Sequence, residues 1–191
     1  MKKKLYEARD HLMAGISYAL PVIIGGSLVV AVAKMIGFAG GVTNLDDFAK
    51  TGGFYHYVWM FQNVGWSAIG LLNLVLSGYI AYSIAGKPAL AAGFVGGVLA
   101  SSTNAGFLGA VVSGFFAGWL TNKIKNKIEL NWVIPSDGAG KSALVSFTVN
   151  PDGSIKDVNI LRSSNDERFD ESAARAVYKA LPLESSDEIT D

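Results

Sequence analysis

The sequence predicts a mainly α-helical protein. Polytopic membrane helices, three to four spans or re-entrant segments, are followed by a small α+β domain of helix, β-hairpin and helix. Three observations carry that prediction. Charge is segregated: residues 1–121 hold 11 of the 32 charged side chains and residues 122–191 hold the other 21. Two apolar runs, Gly15–Phe38 and Gly65–Ala85, reach the roughly 20 residues that a membrane-spanning helix requires. From Lys141 the apolar period changes to two, the period of a half-buried strand. The expected domains are therefore 1–121, within a lipid bilayer, and 122–191, in water.

The first span is flanked by Lys2, Lys3, Lys4 and Arg9. A signal peptide would start in the same way, but the apolar run to Gly37 is too long for a signal core. It also lacks a small-x-small cleavage site after a short apolar stretch. Pro21 is expected to kink this span and free a backbone carbonyl. Lys34 stands near its far end, where a long side chain can reach the interface. The polar and aromatic stretch 40–63 is expected to lie along the outer surface. In the second span, Trp66 and Tyr82 are placed as interfacial aromatics. Leu90–Ala100 is short for a crossing, whereas Ala105–Thr121 is just long enough.

Positive charge sets the orientation. Lys2–Lys4 with Arg9, then Lys87, then Lys123, Lys125 and Lys127 all face the cytoplasm if 88–121 crosses twice or dips in and returns. Both termini are then cytoplasmic. Gly93 and Gly97, and again Gly114 and Gly118, have the spacing that lets membrane helices approach closely. Broken, glycine-rich helices also line transporter cavities, and Ser101, Ser102, Thr103 and Asn104 supply polar groups between two short apolar arms. Asn73, Ser77, Ser101, Thr103 and Asn104 are the candidate substrate contacts. For Asn73 and Ser77, four apart on one face, a helix–helix hydrogen bond is the competing role. His11 lies on a lead-in helix at the interface.

In the second domain, Val145, Phe147 and Val149 share one strand face, and Val158 and Ile160 the inner face of a second strand. "NPDG" between them is a turn signal. A helix follows, capped by Asn165 or Asp166, with acidic residues in its first turn and a stripe of Phe169, Ala173, Val177 and Leu181. These five strand residues are the candidate protein-interaction positions. Ile124, Ile128 and Trp132, at four-residue spacing, make 122–131 readable either as the charged end of the last span or as an amphipathic helix opening the soluble domain.

Several function classes are excluded. No basic face dense enough for nucleic acid exists. There is no cysteine, so thiol catalysis and thiolate metal sites are absent, and His11 and His56 stand far apart. Ser163 and Ser164 have no neighbouring histidine to act as a base. "SDGAGKSA" (136–143) ends like a phosphate loop, but its glycine spacing is wrong and no strand–loop–helix frame surrounds it. Neither an enzyme nor a cofactor is expected.

Two resemblances are carried by specific residues. "HLMAGISYALPVIIGGSLVVA", "SGYIAYSIAGKPALAAGFVGG" and "AGFLGAVVSGFFAGWL" make residues 10–126 resemble the first half of the IIC membrane component of fructose-type sugar phosphotransferase permeases. Gly86-Lys87-Pro88-Ala89 stands where that family writes Asp-Arg-Pro-Gly. The resemblance implies a bacterial inner-membrane sugar channel, expected as a homo-oligomer, whose sugar is phosphorylated by a partner IIB protein. The family's second half, with its glutamate-containing sugar segment, is not represented, and no acidic residue lies in an apolar span. Residues 122–183 resemble the C-terminal domain of TolA and TonB, on Trp132, Pro135, Asp152-Gly153, Ser163-Ser164, Phe169-Asp170, Ala176-Val177 and Pro182-Leu183. That family's last strand has no counterpart in the acidic "ESSDEITD". The resemblance implies binding of Tol- or Ton-system envelope proteins through the hairpin edge. Three readings result: an incomplete phosphotransferase-system membrane component carrying a TolA/TonB-like interaction domain, an envelope energy transducer or tether, or a chimera without native activity.

Overall fold

The computed structural model describes residues 2–150 and 153–180. Its contacts divide into two compact units, Met1–Thr121 and Asn122–Asp191.

The first unit is helical. α1 (Lys2–Ala39) is one continuous helix with Pro21 inside it. Pro21 has no N–H to donate, so the carbonyl one turn earlier lacks its helical partner, yet the helix continues past it. Leu20, Ile24, Leu28, Val32 and Ile36 recur every fourth residue along α1, and all are exposed. A stripe of bare aliphatic side chains at helical spacing is unfavourable in water and suits lipid.

A short 3-10 turn (Leu45–Phe48) follows, capped by Asn44, whose side chain accepts from the Asp46 N–H. α2 (Phe54–Gly70) and α3 (Leu72–Ala85) come next. Two stretches, Lys3–Ala39 and Phe54–Ala85, are long and apolar enough to cross a membrane. The second corrects the expected boundary: helix begins at Phe54, so only the segment as far as Gly53 connects the two. The aromatic run Phe54–Phe61 is the start of α2, with Val58 buried and Phe54, Tyr57, Met60 and Phe61 exposed. Leu71 interrupts the stretch for a single residue, where its N–H reaches back to Ala68 and the helix tightens by one bond after Gly70.

Gly86, at φ 76°, ends α3, and Pro88 enters the first turn of α4 (Lys87–Ser102). Residues 103–105 connect α4 to α5 (Gly106–Asn131). α3 is the hub of this unit: Leu76 and Ile80 are fully buried against Ala100 of α4 and Ala110 of α5. Ala81, Ala85, Ala89 and Ala117 form a second cluster beside them. Ala33, Leu45 and Val58 pack together at the far end of α1.

In the second unit, β1 (Leu144–Val149) and β2 (Ile155–Arg162) pair antiparallel, with Val145 opposite Ile160 and Val149 opposite Ile155. α6 (Glu167–Lys179) follows, capped by Asp166, which accepts from the N–H groups of Arg168 and Phe169. Its buried residues are Phe169, Asp170, Ser172, Ala176 and Val177, followed by the buried cap Ala180, and Ala173 lies at the margin. Leu181, the centre of the turn at Pro151-Asp152 and the acidic tail lie outside the described residues.

At 122–131 both descriptions hold, since α5 runs through the segment while its contacts belong to the second unit. The segment is helical throughout and continuous with the apolar run before it, with a Lys125–Glu129 pair at i,i+4 supporting its charged end.

Candidate functional site

The polar groups of the membrane unit meet on α3. Ser77 has no solvent exposure, and its Oγ lies 3.1 Å from Ser113 Oγ on α5. Ser113 spends its own proton on the Ala110 carbonyl, at 3.1 Å, so Ser77 is the donor across the helices. One turn earlier, Asn73 Nδ2 donates to Ser101 Oγ of α4 at 3.1 Å, and Ser101 donates on to the Gly97 carbonyl at 3.2 Å.

Glycine permits this closeness. A Cβ on Gly93 would lie 2.8 Å from the Ser77 carbonyl, and a Cβ on Gly114 would meet the same oxygen at 2.8 Å. Gly97 and Gly118 likewise seat against Leu74 and Ala81 of α3. Both four-residue glycine pairs therefore serve backbone approach to a single helix.

The structure thus brings together Asn73, Ser77 and Ser101 of the sequence candidates, in the helix–helix bonding role, and adds Ser113. Ser113 is the one hydroxyl within the apolar run 105–120 and sits beside Gly114, a signal that sequence reasoning passed over. Thr103 donates to the Leu99 carbonyl at 2.8 Å. With Ser113 and Phe116 it also lines a cavity of about 280 Å3 between α4 and α5. Asn104, at φ 56°, forms the turn between those helices. What this crossing can offer a ligand is hydroxyl and carboxamide hydrogen bonding.

His11 has a larger structural part than an interfacial lead-in. Its Nδ1 lies 2.7 Å from Ser83 Oγ and ties α1 to the C-terminal end of α3. No local pattern links two residues so far apart in the chain.

Of the five hairpin candidates, Val145, Phe147 and Val158 are half-buried, whereas Val149 and Ile160 are 37% and 41% exposed. Val145 stands directly opposite Ile160, and the register shifts flank that pair: Leu161 and Asp157, the latter at φ 55°, are the extra residues on β2.

α6 is bound more firmly. Trp132 packs edge-on against Phe169, with centroids 5.7 Å apart, and its Nε1–H donates to Ser172 Oγ at 3.1 Å. Ser163 donates to Asp170, which also accepts from the Ser164 N–H at 2.9 Å. The Ser163 hydroxyl, then the Ser164 groups, hold the Asp170 carboxyl below the ordinary carboxylate range. Lys141 is paired with Asp166; that hydrogen bond raises the lysine and lowers the aspartate.

Two family models match the chain. Residues 13–137 match "Phosphotransferase system, EIIC", and residues 117–188 match "TonB C terminal". The two overlap within α5 and the segment after it. Among curated relatives, the fructose-specific EIIABC component of Bacillus subtilis is 36% identical over 115 residues, covering 60% of this chain and 17% of its own length. The 2-O-alpha-mannosyl-D-glycerate-specific EIIABC component of Escherichia coli is 40% identical over 126 residues, covering 65% and 18%. The fructose-specific EIIC component of Haloferax volcanii is 29% identical over 153 residues, covering 71% and 40%. The chain therefore spans well under half the length of each of these three relatives. No solved structure matches it.

Proposed function

The chain belongs to the phosphotransferase system EIIC family, and from that premise we propose that it is a membrane component of a fructose-type sugar phosphotransferase transport system. In this reading the membrane unit binds sugar, a partner IIB protein carries out the phosphoryl transfer, and residues 122–191 form a protein-interaction module. The observation that carries it is the polar crossing on α3. Ser77 and Ser113 meet within an otherwise apolar bundle and Asn73 pairs with the exposed Ser101 at its margin, where uncharged donors and acceptors suit sugar hydroxyls. Thr103, at the adjoining cavity, and Asn104, at the turn, complete the proposed contacts.

The α4–α5 arm is the proposed re-entrant pair. α4 has 16 residues, about 24 Å at 1.5 Å each, short of the roughly 30 Å hydrocarbon core. In this reading, with two spans before it, the N-terminus and the end of the apolar part both face the cytoplasm, as the distribution of Lys and Arg supports. The test is uptake and phosphorylation of radiolabelled fructose by cells lacking their own fructose permease, supplied with a IIB protein. Absence of uptake from cells that carry the inserted chain would count against the reading.

A second reading has its own support in the TonB C-terminal match and the Trp132–Phe169 packing that joins the pre-hairpin segment to α6. In it the chain is an envelope tether that engages Tol- or Ton-system partners through Val145, Phe147, Val149, Val158 and Ile160. Cross-linking from Val149 or Ile160 to such a partner would favour it; failure of both tests leaves a chimera without native activity.

A further inference from the structure

A second polar cavity lies at the opposite end of the membrane unit from the N-terminus of α1. It encloses about 280 Å3 between the end of α1, the 3-10 turn and the middle of α2. That is close to the lower end of the roughly 300–1,000 Å3 usual for small-molecule sites. Leu45, buried on Ala33 and Val58, is its apolar floor.

Gln62 is the telling residue. It is 5% exposed, lines the cavity, and its carboxamide makes no hydrogen bond among the described residues. No wholly buried side-chain nitrogen or oxygen among those residues lacks a partner. The small exposure of Gln62 therefore lies at its amide, open to the cavity. A side chain buried along its length and open only at its amide is placed to hydrogen-bond whatever enters the cavity.

The remaining lining completes a pattern. Lys34 and Asp46 face the same space without forming an ion pair. Lys34 instead sits over the Trp66 ring, 5.9 Å from its centroid, and Asp46 accepts from Trp59 Nε1 at 3.2 Å. Asn44 holds the turn from both ends, accepting from the Asp46 N–H and donating to Asp47. The walls are thus preformed. One cation and one carboxylate held apart give no net preference for an ionic ligand. Together with an amide and an aromatic ring, they suit groups that donate and accept at once, which is what hydroxyls do.

We propose that this cavity binds a neutral polyhydroxylated small molecule, a sugar or polyol, at the end of the unit away from the α3 crossing. The proposal rests on the transport reading for its choice of probe. Its geometry is separate from that reading, because none of these residues belongs to the crossing.

The test is equilibrium dialysis of radiolabelled D-fructose and D-mannitol against the full chain in phosphatidylglycerol nanodiscs, which avoids sugar-based detergents. Saturable binding is expected, weakened about tenfold by Gln62→Leu, the loss of one satisfied amide. Lys34→Met is the second variant, guarding against a folding effect of Gln62→Leu, and should weaken binding as well. No saturable binding, or wild-type affinity in both cavity variants, overturns the proposal. So does loss of the sugar signal in phosphatidylethanolamine discs, which would make the cavity a headgroup seat. Binding that falls with Ser77→Ala alone sinks the cavity and spares the transport reading. Cavity binding without fructose uptake does the reverse.

Discussion

Ser77 donates to Ser113 across α3 and α5 at 3.1 Å, with Ser77 wholly shielded from solvent. The bond lies under two glycine seats, so what surrounds it is as informative as the bond itself.

Ser77→Ala removes a donor, but Ser113 keeps its bond to the Ala110 carbonyl. The expected loss is therefore about 0.6 kcal/mol, the average for interhelical hydrogen bonds in membrane proteins. Gly114→Val places a branched side chain against the Ser77 carbonyl and Ile80, and overpacking of this kind costs about 1–3 kcal/mol. Thermal unfolding in detergent should rank Gly114→Val well below Ser77→Ala. Equal effects would mean that α5 does not seat on α3.

The second unit should be limited by acid through Asp166 and Asp170. Both folded carboxyls titrate below their ordinary value, so their stabilisation is complete above the unfolded pKa near about 3.9. It is lost as pH falls through the folded values. Lys141 works in the other direction: its folded pKa is raised, so its contribution is complete below about 10.4 and fades as pH rises through the folded value. Protection of the α6 amides, taken relative to their intrinsic exchange rate at each pH, should stay flat between these limits and fall outside them. Asp170→Asn should flatten the acid limb and leave the alkaline one.

Trp132→Phe keeps the ring against Phe169 and removes only the Nε1–H to Ser172. Ser172 retains its bond to the Phe169 carbonyl, so the cost should be about 1 kcal/mol. Trp132→Ala removes the ring too and should cost more. Faster exchange along α6 in the order Ala, Phe, wild type is the expected readout.

Orientation is testable directly. With 88–121 dipping in and returning, a fluorescent protein fused after Asp191 should be bright and alkaline phosphatase at the same site inactive. An active phosphatase would mean that 88–121 crosses once.

Much of this architecture was legible in the sequence, and the reasons are local. The apolar run of α1, the Gly86–Pro88 break and the Asp166 cap each follow from a few adjacent residues. The start of α2 was misplaced, because Tyr55, His56 and Tyr57 read as a surface stretch until their helical neighbours bury Val58 and Gln62. The candidate site was half visible: Asn73 and Ser77 announce themselves by spacing, but their partners lie 28 and 36 residues away. Gln62 was invisible for a different reason. An amide matters only when its surroundings withhold a partner, and surroundings are a property of the fold. In the hairpin, the bulges at Asp157 and Leu161 are not encoded in the strand pattern, whereas the pairing of Val145 with Ile160 keeps the alternation the sequence suggests.

The glycine seats on α3 also decide which parts of the membrane unit can move. Sliding α4 or α5 by one residue would set a larger side chain onto the α3 backbone, so these three helices travel as a block. α1 joins them: a Cβ on Gly15 would lie 3.0 Å from the Leu76 carbonyl, and His11 bonds Ser83. Any gating stroke within this unit is therefore expected to carry α1 along with the trio.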